Sequence, residues 1–178
     1  MQWMKNMESH KPVGRFFATS PFGDIVGVVS ATGLLSLDLV SSLSEPIELP
    51  NIAAAEQEKY QQAITALFAG ETPAWWPNLI PQGTAFQQRV WQGLLQIPKG
   101  EVWSYGQLAE FIGAPKGASR AVGTACGRNP IALFIPCHRI IRQNGELGGF
   151  GWGLPMKRHL LKNEGIKLVF REAQEEQQ

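Results

Sequence analysis

Ile135-Pro136-Cys137-His138-Arg139 is the stretch of this 178-residue chain whose residue types can do covalent chemistry. A cysteine is a useful nucleophile only as the thiolate, so a reactive one needs a base or a positive charge nearby. His138 and Arg139 place both types beside Cys137 in sequence. Adjacent side chains on a strand point to opposite faces, so contiguity alone gives no direct hydrogen bond. The coupling must pass through a tight turn or a bridging water. Taken by themselves the residues leave a second reading open, a buried apolar cysteine next to a satisfied core histidine.

Little else in the composition competes for a chemical role. Cys126 and Cys137 are the two cysteines, too few for a disulfide framework and suited to a reducing cytoplasm. With His10, His138 and His159 as the three histidines, no motif calls for a metal or another cofactor. No run approaches the ~20 apolar residues of a membrane span, and MQWMKNMESHK at the start does not read as a secretory signal. The net charge of +1 hides an asymmetry. Residues 1–83 hold four Lys/Arg against eight Asp/Glu, whereas residues 84–165 hold ten against four. A basic second half suggests an anionic partner, with phosphates the usual candidate; uneven surface charge is the plainer alternative.

The elements that must position this chemistry can be read from period and punctuation. FFAT, DIVGVV and LLSLDLV, separated by turn residues, predict two or three strands between Arg15 and Val40. A helix is expected from about Ile52 to Ala69, burying Tyr60, Ile64, Leu67 and Phe68 and stopped by Gly70. Proline-rich ETPAWWPNLIPQG at 71–83 is the natural boundary, giving a supporting domain at 1–83, a second domain at 84–170 and a frayed tail at 171–178. Thr84 with Gln87 and Ser104 with Gln107 make capping boxes that open two helices, the first carrying Phe86, Val90, Leu94 and Ile97 at helical spacing. The second, a turn at Ala114–Gly117 and a third helix over Ala118–Cys126 together describe a helix-turn-helix. A glycine-rich loop (Gly148, Gly149, Gly151, Gly153) leads to a last helix with Pro155 in its first turn. Trp75, Trp76, Trp91 and Cys126 read as packing residues, and Lys157, Arg158 and Lys162 as a phosphate-contacting cluster or a solvated helix face.

From about Phe86 to Gly165 the chain resembles the catalytic domain of the O6-methylguanine-DNA methyltransferases. GEVWSYGQLA, SRAVGTACGRNP, IPCHRII and KRHLLKNEG carry the likeness, in the family's order. It implies an α+β protein of two domains: a small antiparallel sheet with a helix, ribonuclease H-like, and a helical domain with a winged helix-turn-helix. It further implies repair of double-stranded DNA by irreversible, single-turnover transfer of an alkyl group from guanine O6 to Cys137, by a monomer that needs no cofactor. In this likeness His138 is the water-linked base and Glu164, on the final helix, holds its imidazole. Tyr105, at an exposed helix start, donates to the departing guanine, and Asn129 braces the turn before the active site. Arg120 fills the gap left by a flipped nucleotide, and Ala118, Ser119, Ala121 and Gly123 let its helix approach the minor groove. Gly148, Gly149, Phe150, Gly151 and Trp152 wall the nucleotide pocket.

Two positions depart from the family pattern. Phe150 stands where many members have Tyr, and Trp152 where many have Gly, so an indole should crowd bulky groups while admitting methyl. O4-methylthymine remains open as a second substrate. The rival functions are damage recognition without repair, which the presence of Cys137 opposes, and a helix-turn-helix regulator, for which no second module is visible.

Overall fold

The structure, a computed structural model, describes residues 10–167. The tail at 171–178, the last three residues of the expected second domain and most of the N-terminal segment lie outside them. The chain mixes α and β and divides into two compact units. Of the described residues, one holds 10–68, Thr72–Gln82 and Pro130–Phe134; the other holds Ala69–Glu71, Gly83–Asn129 and 135–167.

The first unit is built on an antiparallel sheet of β1 (Gly14–Ala18), β2 (Ile25–Val29) and β3 (Leu34–Leu39) in that order. Its strands arise from the β-branched and aromatic runs read in the sequence, and alternate burial along β1 leaves Phe16 inside and Phe17 out. Phe16 faces Gly27 across the ladder, and a Cβ there would overlap its ring. The missing side chain thus makes room for an aromatic in mid-sheet. Both sheet edges are covered by connecting segments. Arg15 exchanges backbone bonds with Pro50 and Ile52, and Leu34 does so with Asn78 and Ile80. Helix α1 (Ala54–Phe68) packs its apolar stripe on β1, stacking Tyr60 on Phe16 with ring centroids 4.0 Å apart. The apolar run from Ile131 bends instead of extending: Leu133 is buried with φ 75°, a conformation that costs about 1 kcal/mol or more for a non-glycine residue.

In the second unit, α2 (Ala85–Leu94) opens with the expected capping box, Gln87 N donating to Thr84 Oγ1 at 3.1 Å and Thr84 N to Gln87 Oε1 at 2.9 Å. The helix stops at Leu94, so Ile97 is buried from the following turn and not from the helix itself. Trp91 is core, its indole N–H donating to Ala125 O at 2.9 Å, whereas Trp76 in the other unit stays 45% exposed. A second capping box starts α3 (Tyr105–Phe111), which ends at Gly113 with φ 70°. Helix α4 (Ser119–Gly127) follows and packs on α2 and α3 through Val122, Ala125 and Cys126. Strand β4 (Trp103–Ser104) pairs in parallel with β5 (Ile140–Ile141), setting Ser104 opposite Ile141. Helix α5 (Leu154–Asn163) closes the unit. Among the described residues no helix is long and apolar enough to cross a membrane.

Candidate active site

The β4–β5 pairing decides where the chemistry sits. It sets the start of α3, immediately after β4, beside the turn that runs into β5, and that turn is Cys137–Arg139. Pro136, at φ −80° and ψ 64°, centres an inverse γ-turn in which Cys137 N donates to Ile135 O at 2.8 Å. A short 3-10 turn follows, with Arg139 N donating to Pro136 O at 3.0 Å. The tight turn that the chemistry required is therefore present, and proline's fixed φ builds it.

His138 is 2% exposed, and its Nε2 lies 3.0 Å from Glu164 Oε2. A carboxylate only accepts, so Nε2 carries the hydrogen and Nδ1 is left as a bare acceptor. That Nδ1 is buried and has no hydrogen-bond partner. Glu164 is the residue just past α5, not within it. Burial alone would raise its carboxyl, but hydrogen bonds from His138 and Arg139, and their charges, prevail and hold it at about 2. Burial also pushes the His138 imidazole down, against the pull of Glu164, so the ring rests neutral as a base must.

Arg139 corrects one expectation. Two residues from Cys137 in sequence, it does not serve as that thiol's positive neighbour. Its guanidinium turns to Glu164, Nε donating to Oε1 at 2.9 Å and Nη2 to Oε2 at 3.0 Å, while Nη1 donates to Ile97 O at 2.8 Å. Cys137 as a residue is partly exposed; its thiol is raised by burial, which a hydrogen bond from Asn129 and the charge of Lys157 oppose only in part. Asn129 also donates Nδ2 to Ile135 O at 2.9 Å, which ties the end of α4 to the residue that precedes the Pro136 turn.

Lys157 is the residue the sequence misassigned. It lies neither on a solvated face nor in a phosphate cluster but is 0% exposed. Its Nζ donates to Ile140 O at 2.6 Å, to Leu147 O, and to Gly149 O at 3.2 Å. One ammonium thus pins the glycine-rich loop to β5 and places its charge near Cys137. A signal was available: 157, 160, 161 and 164 share one helix face, and Leu160 and Leu161 mark that face as buried. Lys157→Met is expected to remove these three hydrogen bonds, lowering stability by about 2–4 kcal/mol. It should also raise the Cys137 thiol. Urea unfolding and the pH dependence of iodoacetamide labelling at Cys137 would read the two effects, and unchanged labelling would remove the electrostatic role.

Tyr105 is half-buried, not exposed, because later segments cover it. A Cβ on Gly148 would sit 3.1 Å from its hydroxyl, and one on Gly123 3.5 Å from its ring. Gly148 itself has φ 73°, which suits glycine. Burial raises the phenol, with Cys126 and Cys137 adding to the effect and Arg142 opposing it, so Tyr105 remains a protonated donor. Of the loop residues, Phe150 and Trp152 are partly exposed and Gly149 and Gly151 exposed. Arg120 lies on the exposed side of α4 with Ser119 and Ala121, while Ala118 and Gly123 are partly covered. It stands outside the hydrogen-bonded cluster. Cys126 is buried with its thiol pushed up to about 12, which suits packing. Among the described residues no group of three or more His, Cys, Asp or Glu could hold a metal ion.

The chain is similar to known proteins in sequence and in fold. A family profile described as "6-O-methylguanine DNA methyltransferase, DNA binding domain" matches residues 85–166. A methylated-DNA–protein-cysteine methyltransferase of Methanosarcina acetivorans is 44% identical over 149 residues, covering 82% of this chain and 94% of that one. The Mycobacterium leprae protein of the same name is 46% identical over 148 residues, covering 82% and 88%. In three dimensions the chain is similar to the crystal structure of Mycobacterium tuberculosis OGT in complex with DNA. The TM-score is 0.75 at 40% identity, covering 85% of this chain and 92% of that chain.

Proposed function

Because the chain belongs to the methylated-DNA–protein-cysteine methyltransferase family, we propose that Cys137 is the cysteine on which it takes up the alkyl group. The reaction is direct repair of DNA: the alkyl group leaves the O6 atom of guanine for a protein cysteine, irreversibly and once per molecule. The observation that carries the assignment is the ion-paired turn in which Glu164 holds the buried His138 with Nδ1 bare, one residue from Cys137, itself a partly exposed residue.

In this reading His138 Nδ1 takes the thiol proton, through a water, and the thiolate attacks the alkyl carbon. The carbon–O6 bond breaks, its electron pair stays with the guanine, and a proton donated by Tyr105 or solvent neutralises the base. A thioether offers no easy return. Asn129 supports the turn. Arg120 occupies the space a flipped nucleotide vacates, since a base inside the stack is out of reach and extrusion costs roughly a few kcal/mol. Ala118, Ser119, Ala121 and Gly123 allow α4 close to the minor groove, making α3 and α4 a helix-turn-helix of the winged kind. Gly148, Gly149, Phe150, Gly151 and Trp152 wall the pocket. Residues 1–83 form a ribonuclease H-like supporting domain and 84–170 the catalytic one, acting as a cytoplasmic monomer without cofactor; two unpaired cysteines suit that compartment.

Intact-protein mass after incubation with a duplex carrying one O6-methylguanine tests this reading. One methyl per molecule, mapped to the Cys137 peptide and not exceeded with excess duplex, is the expected result. Tight binding of the lesion duplex without a mass gain would instead indicate damage recognition alone. Trp152 sets a size limit in the same reading. Trp152→Gly is expected to react with free O6-benzylguanine about tenfold or more faster than wild type, since a clash of one ring is worth 1–3 kcal/mol. Equal rates in the two proteins would discard the size limit.

A further inference from the structure

Glu164 serves two partners with one carboxylate. Oε2 lies 3.0 Å both from His138 Nε2 and from Arg139 Nη2, and Oε1 accepts from Arg139 Nε at 2.9 Å. The third arm of the guanidinium is fixed on Ile97 O. The pair is nearly buried, with the Glu164 side chain 3% exposed and that of Arg139 13%. A lone buried carboxylate behind His138 would pull the ring toward the imidazolium, against the burial that keeps it neutral. A second cation locked on the same carboxylate removes that bias. We propose that Arg139 is a positioning residue for methyl transfer, aiming Glu164 at His138 and cancelling enough of its charge to keep the resting imidazole neutral. The proposal rests on the assignment of Cys137 as acceptor and His138 as base.

The surroundings support this role. Among the described residues, the charged groups facing His138 are Glu164, Arg139 and Lys157, and the two cations both oppose its protonation. Helix α2 also packs against the Cys137–Arg139 turn but brings no charge to it; Arg89 is its one charged residue, and that guanidinium is committed to Ile112 O. The step remains balanced. The thiol proton moves from Cys137 Sγ to His138 Nδ1, Glu164 stays ionised, and Arg139 neither gains nor loses a proton.

The test is the single-turnover rate of methyl transfer from an O6-methylguanine duplex as a function of pH, for the full chain and its Arg139→Met and Arg139→Lys variants. A neutral base gives a rate that falls as pH drops through the pKa of His138. Arg139→Met is expected to lower the plateau about tenfold and move the acid midpoint up by ~1 pH unit. Arg139→Lys keeps the charge and loses the fork, so its midpoint stays near wild type while its plateau recovers only in part. The imidazole carbon shift of His138 should titrate in parallel. If Arg139→Met does not fold, Arg139→Gln, which keeps donors without charge, carries the same expected upward shift. An unchanged midpoint in a folded uncharged variant overturns the role, as do equal shifts in the Lys and uncharged variants. Cys137→Ser run alongside separates the two failures. If it still takes up methyl, the acceptor assignment falls and this role with it; if it does not and the midpoint is unchanged, only the role of Arg139 falls.

Discussion

Cys137→Ser protein is expected to bind a duplex carrying O6-methylguanine and to gain no methyl mass, with transfer reduced on the order of 10⁴-fold or more. The reason is the acidity of the nucleophile rather than its placement. A hydroxyl in the same turn would keep the γ-turn at Pro136 and the His138–Glu164 pair, since neither uses the sulfur. A thiol needs only moderate help to ionise; here Asn129 and Lys157 offset part of the cost of burial, which still holds the thiol above its ordinary value and leaves the rest to a base. An alkoxide formed beside His138 would need far more. Cys126 is the internal control. It is buried with its thiol pushed up to about 12, so Cys126→Ser should retain full uptake. Intact mass and peptide mapping of both variants decide the matter. Methyl found on Cys126 or elsewhere in the Cys137→Ser protein would place the acceptor somewhere other than the Pro136 turn.

The sequence alone made legible the chemistry that is local in the chain. Both capping boxes, the glycine stops after α3 and α5 and the strand runs of β1 to β3 depend on residues a few positions apart, and they fold as read. Contacts between distant segments were not legible. Tyr105 looked exposed because it begins a helix, and Gly148, more than forty positions on, is what half-covers it. Arg139 looked like the cation beside Cys137 because they are two apart, yet the turn sends it to Glu164, 25 residues away. Lys157 followed the composition of its neighbours into a basic cluster, when its position on the apolar face of α5 argued for burial. Pro130–Phe134 joins the first unit through Leu37 N, which donates to Pro130 O at 2.9 Å, and nothing in its apolar run distinguishes that from a strand of the second. The pairing of His138 with Glu164 was available only through the family likeness; the fork from Arg139 that completes it was not available at all.

Glu164→Gln is expected to slow methyl transfer by about 10²–10⁴-fold and to make stability far less dependent on acid. A glutamine keeps an acceptor oxygen for His138 Nε2 but has no charge to stabilise the imidazolium formed when Nδ1 takes the thiol proton. It also leaves Arg139 with an unmatched charge in a nearly buried site. For stability the direction follows from the carboxyl, which titrates near 4.5 when free and is held at about 2 in the fold. A group depressed on folding contributes fully above its unfolded pKa and loses that contribution as pH falls toward the folded one. The wild type should therefore exceed Glu164→Gln by roughly 3 kcal/mol at neutral pH. The gap should close between about pH 4.5 and 2. Urea unfolding across that range measures the gap, and single-turnover transfer at pH 7.5, in variant protein shown to be folded, measures the rate. A rate within threefold of wild type would show that His138 acts without its carboxylate. A gap independent of pH would show that the pair holds the turn by packing and not by charge.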